Sequence, residues 1–339
     1  MSERVLVTGG AGFIGSHLVD ALLEAGYEVS VLDDFSTGSL TNLEQARATG
    51  GLRVTTGSIL NPADIQAAIA GCSRVYHLAV QCVRRSLGNP AESHDVNATG
   101  TLNVLETARQ EGVRRFVYCS SSEVYGNSSD GVLNEITTQC RPVTVYGAAK
   151  LAGELYAGAY RQAYGMETVV VRPFNAYGPR APETGTRAEV IPRFVIRALN
   201  GLPPVMFGDG SNGRDFTYVA EVARGLMLAG FAPVWDEWPI NVAYGRMVTI
   251  REVAEAVLKV AGRNDLAVST HAQRPGDVYR LNADTGRAAQ FLGYRAETAF
   301  EDGLRRYVDW FRDRHTDVAG LLETDIENWT MPPAGKRQR

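Results

Sequence analysis

Tyr146 and Lys150 stand four residues apart in Tyr146-Gly147-Ala148-Ala149-Lys150, a spacing that puts both side chains on one face of a helix. A phenol with a pKa of about 10 is a poor base at neutral pH, but a lysine ammonium and an oxidised nicotinamide ring nearby favour the phenolate. Upstream, Ser120-Ser121-Ser122-Glu123 directly follows an apolar run that ends at Cys119. Hydroxyls and one carboxylate therefore fall at the carboxyl end of a strand, which in a parallel sheet is where ligands bind. Near the N-terminus, Gly9, Gly12 and Gly15 form GxxGxxG between an apolar strand and a helical stretch. Such glycines allow a tight turn and close backbone approach to a pyrophosphate, which the helix N-terminus then faces with free N–H groups. Asp33 ends the second strand about 20 residues on. A carboxylate there binds both ribose hydroxyls and repels a 2′-phosphate, so the expected cofactor is NAD rather than NADP. The alternative is that Asp33 and Asp34 merely open a turn.

These groups need a scaffold, and the chain supplies an alternating one. Apolar runs at 4–8, 28–32, 52–55, 75–78, 116–119 and 168–171 are separated by helical stretches, the first of which carries Ile14, Leu18, Leu22 and Leu23 at helical spacing. Nearly continuous apolar strands alternating with helices predict an α/β fold, a Rossmann doubly wound parallel sheet covered on both faces. After Arg172-Pro173 the character changes: Pro179, Pro182, Pro192, Pro203 and Pro204 mark an irregular region broken by a helix over 190–200. A short strand at 240–242, a helix at 249–261 and a final helix at 300–313 come next. The expected organisation is an NAD-binding domain over 1–175 and a smaller mixed α/β substrate-binding domain over 176–330. Residues 240–262 are expected to return to the first domain, and 331–339 to form a frayed tail.

Composition narrows the partners. The chain has 339 residues, 45% of them hydrophobic, which excludes a fibrous or disordered protein. Thirty-four basic and 38 acidic side chains give a net charge of −4, so no global field captures nucleic acid. No apolar run is long enough to span a membrane, and the N-terminus has no signal-peptide layout. Four dispersed cysteines, Cys72, Cys82, Cys119 and Cys140, predict a reducing cytoplasm rather than a disulfide or zinc framework. The five histidines lack metal-ligand spacing, so no metal is expected.

With these motifs in order, the sequence closely resembles the extended short-chain dehydrogenase/reductases that remodel nucleotide sugars. The match spans TGGAGFIG (8–15), DDFSTG (33–38), HLA (77–79), Asn97 with GT (100–101), SSSEVYG (120–126), YGAAK (146–150), RPFNAYGPR (172–180), GRDFTYV (213–219) and RPGDV (274–278). The resemblance implies that Tyr146, Lys150 and Ser121 form a hydride-transfer triad, with Ser122 and Glu123 beside it. It implies cofactor contacts from Gly9, Gly12, Phe13, Ile14, Gly15 and Asp33, from Ser58, Ile59, Leu78 and Ala79, and from Asn97, Pro173, Tyr146 and Lys150. Substrate contacts are implied for Arg84, Arg85, Ser86, Glu123, Asn175, Val190, Arg214, Arg274 and Asp277. Arginine forks suit the oxygens of a nucleotide diphosphate. One departure is visible, since many relatives carry an acidic residue where Ser58 stands. A homodimer through the helix bearing Tyr146 and Lys150 is also implied. Leu102, Leu105, Leu151 and Leu155 could serve it, or equally belong to the chain's own core.

Members of that family oxidise C4 of a sugar and differ in the step after that oxidation. Simple 4-epimerases often carry a small or hydroxylated residue at the position of Glu123, whereas a glutamate there points to a further proton transfer. Dehydratases usually precede that glutamate with an aspartate that protonates the departing 6-hydroxyl, and here Ser122 stands instead. The arrangement resembles the UDP-glucuronate decarboxylases, in which oxidation creates a β-keto acid that loses carbon dioxide without a leaving-group acid. Arg84 and Arg85, in a loop expected at the sugar end, could bind a sugar carboxylate or form a solvated basic loop. The leading expectation is decarboxylation of UDP-glucuronic acid to a UDP-4-keto-pentose or UDP-xylose. The alternatives are a UDP-sugar 4-epimerase, a 4,6- or 5,6-dehydratase, and a non-catalytic NAD-sensing scaffold. Cys119 and Cys140 read as buried apolar groups or reactive thiols, and Phe174 and Tyr177 as pocket lining or core.

Overall fold

The computed structural model describes residues 3–129, 131–185, 188–232, 236–272 and 279–323. Its main sheet has seven strands: β1 (Arg4–Thr8), β2 (Glu28–Asp33), β3 (Leu52–Thr56), β4 (Arg74–His77), β5 (Arg115–Cys119), β6 (Glu167–Pro173) and β7 (Ile240–Val242). They lie in the order β7-β6-β5-β4-β1-β2-β3 and every pairing is parallel. Successive side chains along a strand face opposite sides, which explains the near-continuous apolar runs. Val5 and Val7 pack beneath α1 (Phe13–Glu24), while Leu6 between them joins a core on the other face. That second face is covered by α2 (Pro62–Ile69), where Ile65 and Ile69 are fully buried.

Beyond β4 the chain makes a short helix, α3 (Val83–Gly88), then α4 (Gly100–Gln110), and after β5 the long helix α5 (Val145–Tyr164). Thr144 caps α5 by accepting the Gly147 N–H at 3.0 Å, which fixes where the helix bearing Tyr146 and Lys150 begins. A separate apolar core forms from α6 (Val190–Leu199), α8 (Ile250–Ala261) and α9 (Phe300–Arg314), joined by Tyr177 and Phe216. Between them in sequence, α7 (Val219–Phe231) packs back on α1 and the sheet through Val222 and Leu226.

Several boundaries differ from the sequence reading for identifiable reasons. β4 ends at His77: the Leu78 N–H makes the last ladder bond, to the Thr8 carbonyl at 3.1 Å, and the next N–H, of Ala79, turns to the Thr8 hydroxyl at 3.2 Å. Thr249 is the cap of α8 rather than its first residue, and it forms a reciprocal capping box with Glu252. Of the stretch 240–262, only the strand returns to the sheet; the helix packs in the second core. The expected tail at 331–339 lies outside the described residues.

A buried ion pair ties α5 to the sheet. Arg172 of β6 meets Glu154 of α5 at 2.6 and 2.9 Å, with side chains only 4% and 8% exposed. Arg172 also stacks over the Tyr125 ring at 4.7 Å, and Tyr125 donates to Asn241 of β7 at 2.8 Å. Removing one member of such a pair strands a buried charge, whereas replacing both with apolar groups is often nearly neutral. Arg172→Met is therefore expected to lower stability by about 3–5 kcal/mol. Adding Glu154→Met recovers most of that loss. Urea unfolding midpoints of the two variants check this, and a single variant as stable as the wild type would refute it.

Candidate active site

A cavity of about 630 Å³ runs along the carboxyl ends of β1, β2, β4, β5 and β6. At one end lies the glycine loop. A side chain at Gly15 would place its Cβ 2.1 Å from the Gly9 carbonyl oxygen, and one at Gly9 would meet the Ala79 backbone nitrogen at 2.7 Å. Gly9 also has φ of 69°, in the left-handed region that glycine tolerates best. The turn therefore closes tightly enough for the first turn of α1 to face the cavity. No side chain caps that helix, and Gly12, Phe13, Ile14 and Gly15 form part of the wall. This is the geometry that accepts a diphosphate. Asp33 lines the same end, and its two oxygens accept the Ala11 and Phe35 N–H groups at 2.9 Å each. Burial raises its carboxyl, while those N–H groups oppose the rise. An uncapped helix N-terminus and a carboxylate at the second strand end fit NAD.

Farther along, Ser121, Ser122, Glu123, Tyr146 and Lys150 share the cavity wall. Lys150 is 2% exposed and donates to the Cys119 carbonyl at 2.9 Å, with its ammonium 5.1 Å from the centre of the Tyr118 ring. Burial pushes it down to about 8, and the neighbouring Cys119 thiol and Glu154 carboxylate oppose that. Ser121 accepts the Glu123 N–H at 3.2 Å, so its own hydroxyl hydrogen points elsewhere. The Tyr146 phenol is its partner. Burial pushes the Tyr146 phenol above its ordinary range; the Ser121 hydroxyl counters this, and the Glu123 carboxylate adds to it. Glu123 is thus close enough to feel the proton on Tyr146.

Ser58, Ile59, Leu78, Ala79 and Pro173 line the cavity. The Ser58 N–H is taken by Asp64 at 2.9 Å, a carboxylate six residues away that stands outside the cavity wall. On the substrate side Asn175, Val190 and Arg214 reach the wall, and Asn175 Oδ1 is buried without a protein partner among the described residues. That oxygen is an acceptor for a ligand hydroxyl or N–H. Arg84 also reaches the wall, but both its terminal nitrogens meet Glu189, at 3.0 and 2.7 Å.

Three expected contacts fall elsewhere. Asn97 is fully buried behind the wall, where its amide clamps Gln81: Oδ1 accepts the Gln81 N–H at 2.9 Å and Nδ2 donates to its carbonyl at 3.0 Å. It shapes the channel without facing it. Arg85 turns to Glu92 at 3.1 Å, and the Ser86 hydroxyl donates to the Val83 carbonyl, so neither lines the cavity. Arg274 and Asp277 lie outside the described residues. Cys119 is a buried thiol pushed up to about 11, and burial raises Cys140 too against the Arg172 guanidinium 3.3 Å away, so neither is set up as a nucleophile. Phe174 and Tyr177 are both core and wall.

Sequence reading missed the supports. His77, inside the HLA motif, is buried, pushed down to about 3, and bridges the Thr8 and Thr101 hydroxyls at 2.7 and 3.0 Å. Glu154 lies one further helical step from Lys150, a spacing that was readable, and accepts from Ser120 at 2.5 Å.

Comparison with known proteins agrees with this geometry. The profile of the NAD dependent epimerase/dehydratase family matches residues 5–236. The UDP-glucose 4-epimerase of Mycolicibacterium smegmatis is 36% identical over 315 residues, covering 92% of this chain and 99% of the relative. The dTDP-glucose 4,6-dehydratase of Streptomyces niveus is 34% identical over 342 residues, covering 98% and 100%. Among solved structures, MoeE5 in complex with UDP-glucuronic acid and NAD has a TM-score of 0.80 and 36% identity, with 92% of this chain and 100% of that one covered. The chain belongs to the NAD-dependent epimerase/dehydratase family of extended short-chain dehydrogenase/reductases. It is an enzyme of nucleotide-sugar metabolism and its cofactor is NAD.

The geometry has two measurable outcomes. Tyr146→Phe removes the phenol from the wall without touching the glycine loop, so it is expected to abolish sugar oxidation while NAD binding, measured by calorimetry, stays close to wild type. Turnover near wild type would overturn the assignment. With the Lys150 ammonium lost above about pH 8, the oxidation rate is expected to decline on the alkaline side with a midpoint near that value. Stopped-flow absorbance of reduced cofactor across a pH series measures this, and a flat profile through that range would exclude it.

Proposed function

We propose that the protein oxidises C4 of UDP-glucuronic acid and that the resulting 4-keto acid loses carbon dioxide. The observation carrying this reading is the Ser122-Glu123 pair on the wall beside Ser121 and Tyr146. Support for the sugar comes from MoeE5, whose complex holds UDP-glucuronic acid on a chain of the same architecture. Tyr146, as phenolate, takes the proton of the C4 hydroxyl while Ser121 orients that oxygen and Lys150 holds the negative charge. NAD, held along the glycine loop and by Asp33, would supply the hydride acceptor for C4. The carboxylate at C6 is then β to a carbonyl, so the C5–C6 bond breaks, carbon dioxide departs and the electron pair enters an enolate over C4 and C5. Glu123, if protonated from the open cavity, delivers a proton to C5. Expulsion of water would need an acid at the leaving oxygen, and the Ser122 hydroxyl is too weak an acid for that.

The M. smegmatis relative favours a second reading, in which the hydride returns to the other face and the protein is a UDP-sugar 4-epimerase. In either case the sheet lobe holds NAD and the lobe around α6 holds the UDP moiety. A homodimer and a cytoplasmic location belong to the same proposal. Leu102 of α4 and Leu155 of α5 are exposed, as a helical dimer face requires, whereas Leu105 is buried in the chain's own core.

Incubation with NAD and UDP-glucuronic acid, followed by mass spectrometry, separates the readings. Loss of carbon dioxide is expected; an unchanged mass with inverted C4 identifies the epimerase, and loss of water a dehydratase. Glu123→Gln is expected to keep cofactor reduction and carbon dioxide release and to slow protonation at C5 by about 10²–10⁴, read as formation of the UDP-4-keto-pentose. Protonation at the wild-type rate would remove Glu123 from the mechanism.

A further inference from the structure

Tyr146, Lys150 and Glu154 succeed one another at four-residue steps on α5, so they share one helix face. The first two line the cavity, and the third turns inward behind them. The groups that reach Lys150 are Tyr118 and Cys119 of β5, His77 of β4 and Glu154 of its own helix, with Tyr146 one helical step before it and Arg172 of β6 behind Glu154. Burial keeps the two phenols and the thiol protonated and the imidazole neutral. Among these groups, Glu154 is the one carboxylate, and it is paired with Arg172.

The same carboxylate has a second contact. Its Oε1 accepts the Ser120 hydroxyl at 2.5 Å as well as Arg172 Nε at 2.9 Å. Ser120 stands between Cys119, whose carbonyl receives the Lys150 ammonium, and Ser121, whose hydroxyl meets Tyr146. A single buried group therefore holds the side chain between the residue that accepts from Lys150 and the one that meets Tyr146, and it lies one helical step from Lys150.

We propose that Glu154 is a positioning residue for the reaction: held by Arg172, it is the counter-charge that keeps Lys150 an ammonium beside Tyr146, and it fixes the Cys119–Ser121 segment against α5. This extends the reading of Lys150 and Tyr146 as partners and does not depend on which sugar is turned over. A purely structural ion pair would affect stability and leave the proton on Lys150 unmoved.

The sequence makes a direct test practicable, because the chain has three lysines, Lys150, Lys259 and Lys336. Protein labelled with ¹³C at lysine Cε gives one resonance for each, and Lys150→Met assigns the buried one. With NAD bound, Glu154→Gln is expected to lower the Lys150 titration midpoint by about one pH unit or more. An unchanged midpoint overturns the proposal. If the single variant does not fold, Glu154→Gln/Arg172→Gln serves, since an amide pair can keep hydrogen bonds. Its midpoint also falls, because Glu154 is the charge that reaches Lys150; an unmoved midpoint there overturns the proposal as well. In the kinetic arm, the alkaline limb of the pH–rate profile shifts with the resonance, and Glu154→Asp returns both toward wild type. A resonance that moves without the kinetic limb supports the counter-charge and instead defeats the reading of Lys150 in hydride transfer.

Discussion

Every strand of the main sheet runs in the same direction, and that constraint decides where chemistry can occur. A parallel sheet gathers all its strand carboxyl ends on one edge, and each following helix begins there with unpaired N–H groups. The glycine loop after β1, Asp33 at the end of β2, Ala79 just past β4, Ser121 past β5 and Pro173 at the end of β6 are scattered in sequence. They meet in one cavity because none of those strands is reversed. The order β7-β6-β5-β4-β1-β2-β3 also places the crossover point at β1, beside β4, so the cofactor end of the cavity opens at the glycine loop.

Within that edge the costly element is an ammonium out of water. Its charge-assisted hydrogen bond to the Cys119 carbonyl contributes about 1.5–3 kcal/mol. The Tyr118 ring face adds about 0.5–2 kcal/mol. These do not fully replace hydration, since a fall from 10.5 to about 8 corresponds to roughly 3 kcal/mol against the charged form. Lys150 is thus held poised: charged at neutral pH, yet near the point where it gives up its proton. Tyr146 is pushed the opposite way, with burial holding its proton on. In the proposed reaction the pair becomes a base when positive charge arrives in the cavity, which would link proton abstraction to occupancy of the cofactor site.

How much of this was legible depended on whether a residue's role can be read from local spacing. The alternation of apolar runs and helices implied the parallel sheet, and GxxGxxG, Asp33, the serine run and the Tyr146/Lys150 step each announced a place on the same edge. Tertiary pairings were not legible. Arg84 and Arg85 are adjacent on α3 and chemically alike, yet one faces Glu189 across the cavity and the other turns to Glu92, seven residues on in the chain. Asn97 carries a ligand-like amide that the fold spends on the Gln81 backbone, because that loop would otherwise leave its polar groups unpaired. The capping role of Thr249 was readable from the Glu252 three residues on, but periodicity alone draws such a residue into the helix.

The structure also separates what is fixed from what is free to vary. Lys150, Ser120 and His77 are buried and each has at least one partner on a different element, so changing any of them disturbs the sheet edge itself. Ser122 and Glu123 sit instead in a single 3₁₀ turn (Ser122–Val124) that begins after Ser121, and Glu189 stands just before α6. Substitutions there alter charge in the cavity without altering the frame that oxidises C4. A 36% identical 4-epimerase and a 34% identical 4,6-dehydratase can therefore share the architecture of this chain, because the step that distinguishes them needs only a few side chains on such turns. In the proposed reaction that step falls to Glu123. Ser122 offers only a hydroxyl beside it, and Glu189 neutralises Arg84, the one arginine of the Arg84-Arg85 pair that lines the cavity. A sugar carboxylate entering there would have to compete with Glu189 for Arg84, so it would be held less tightly than by an unopposed guanidinium. Weak restraint of a carboxylate suits a reaction in which that group must leave as neutral carbon dioxide.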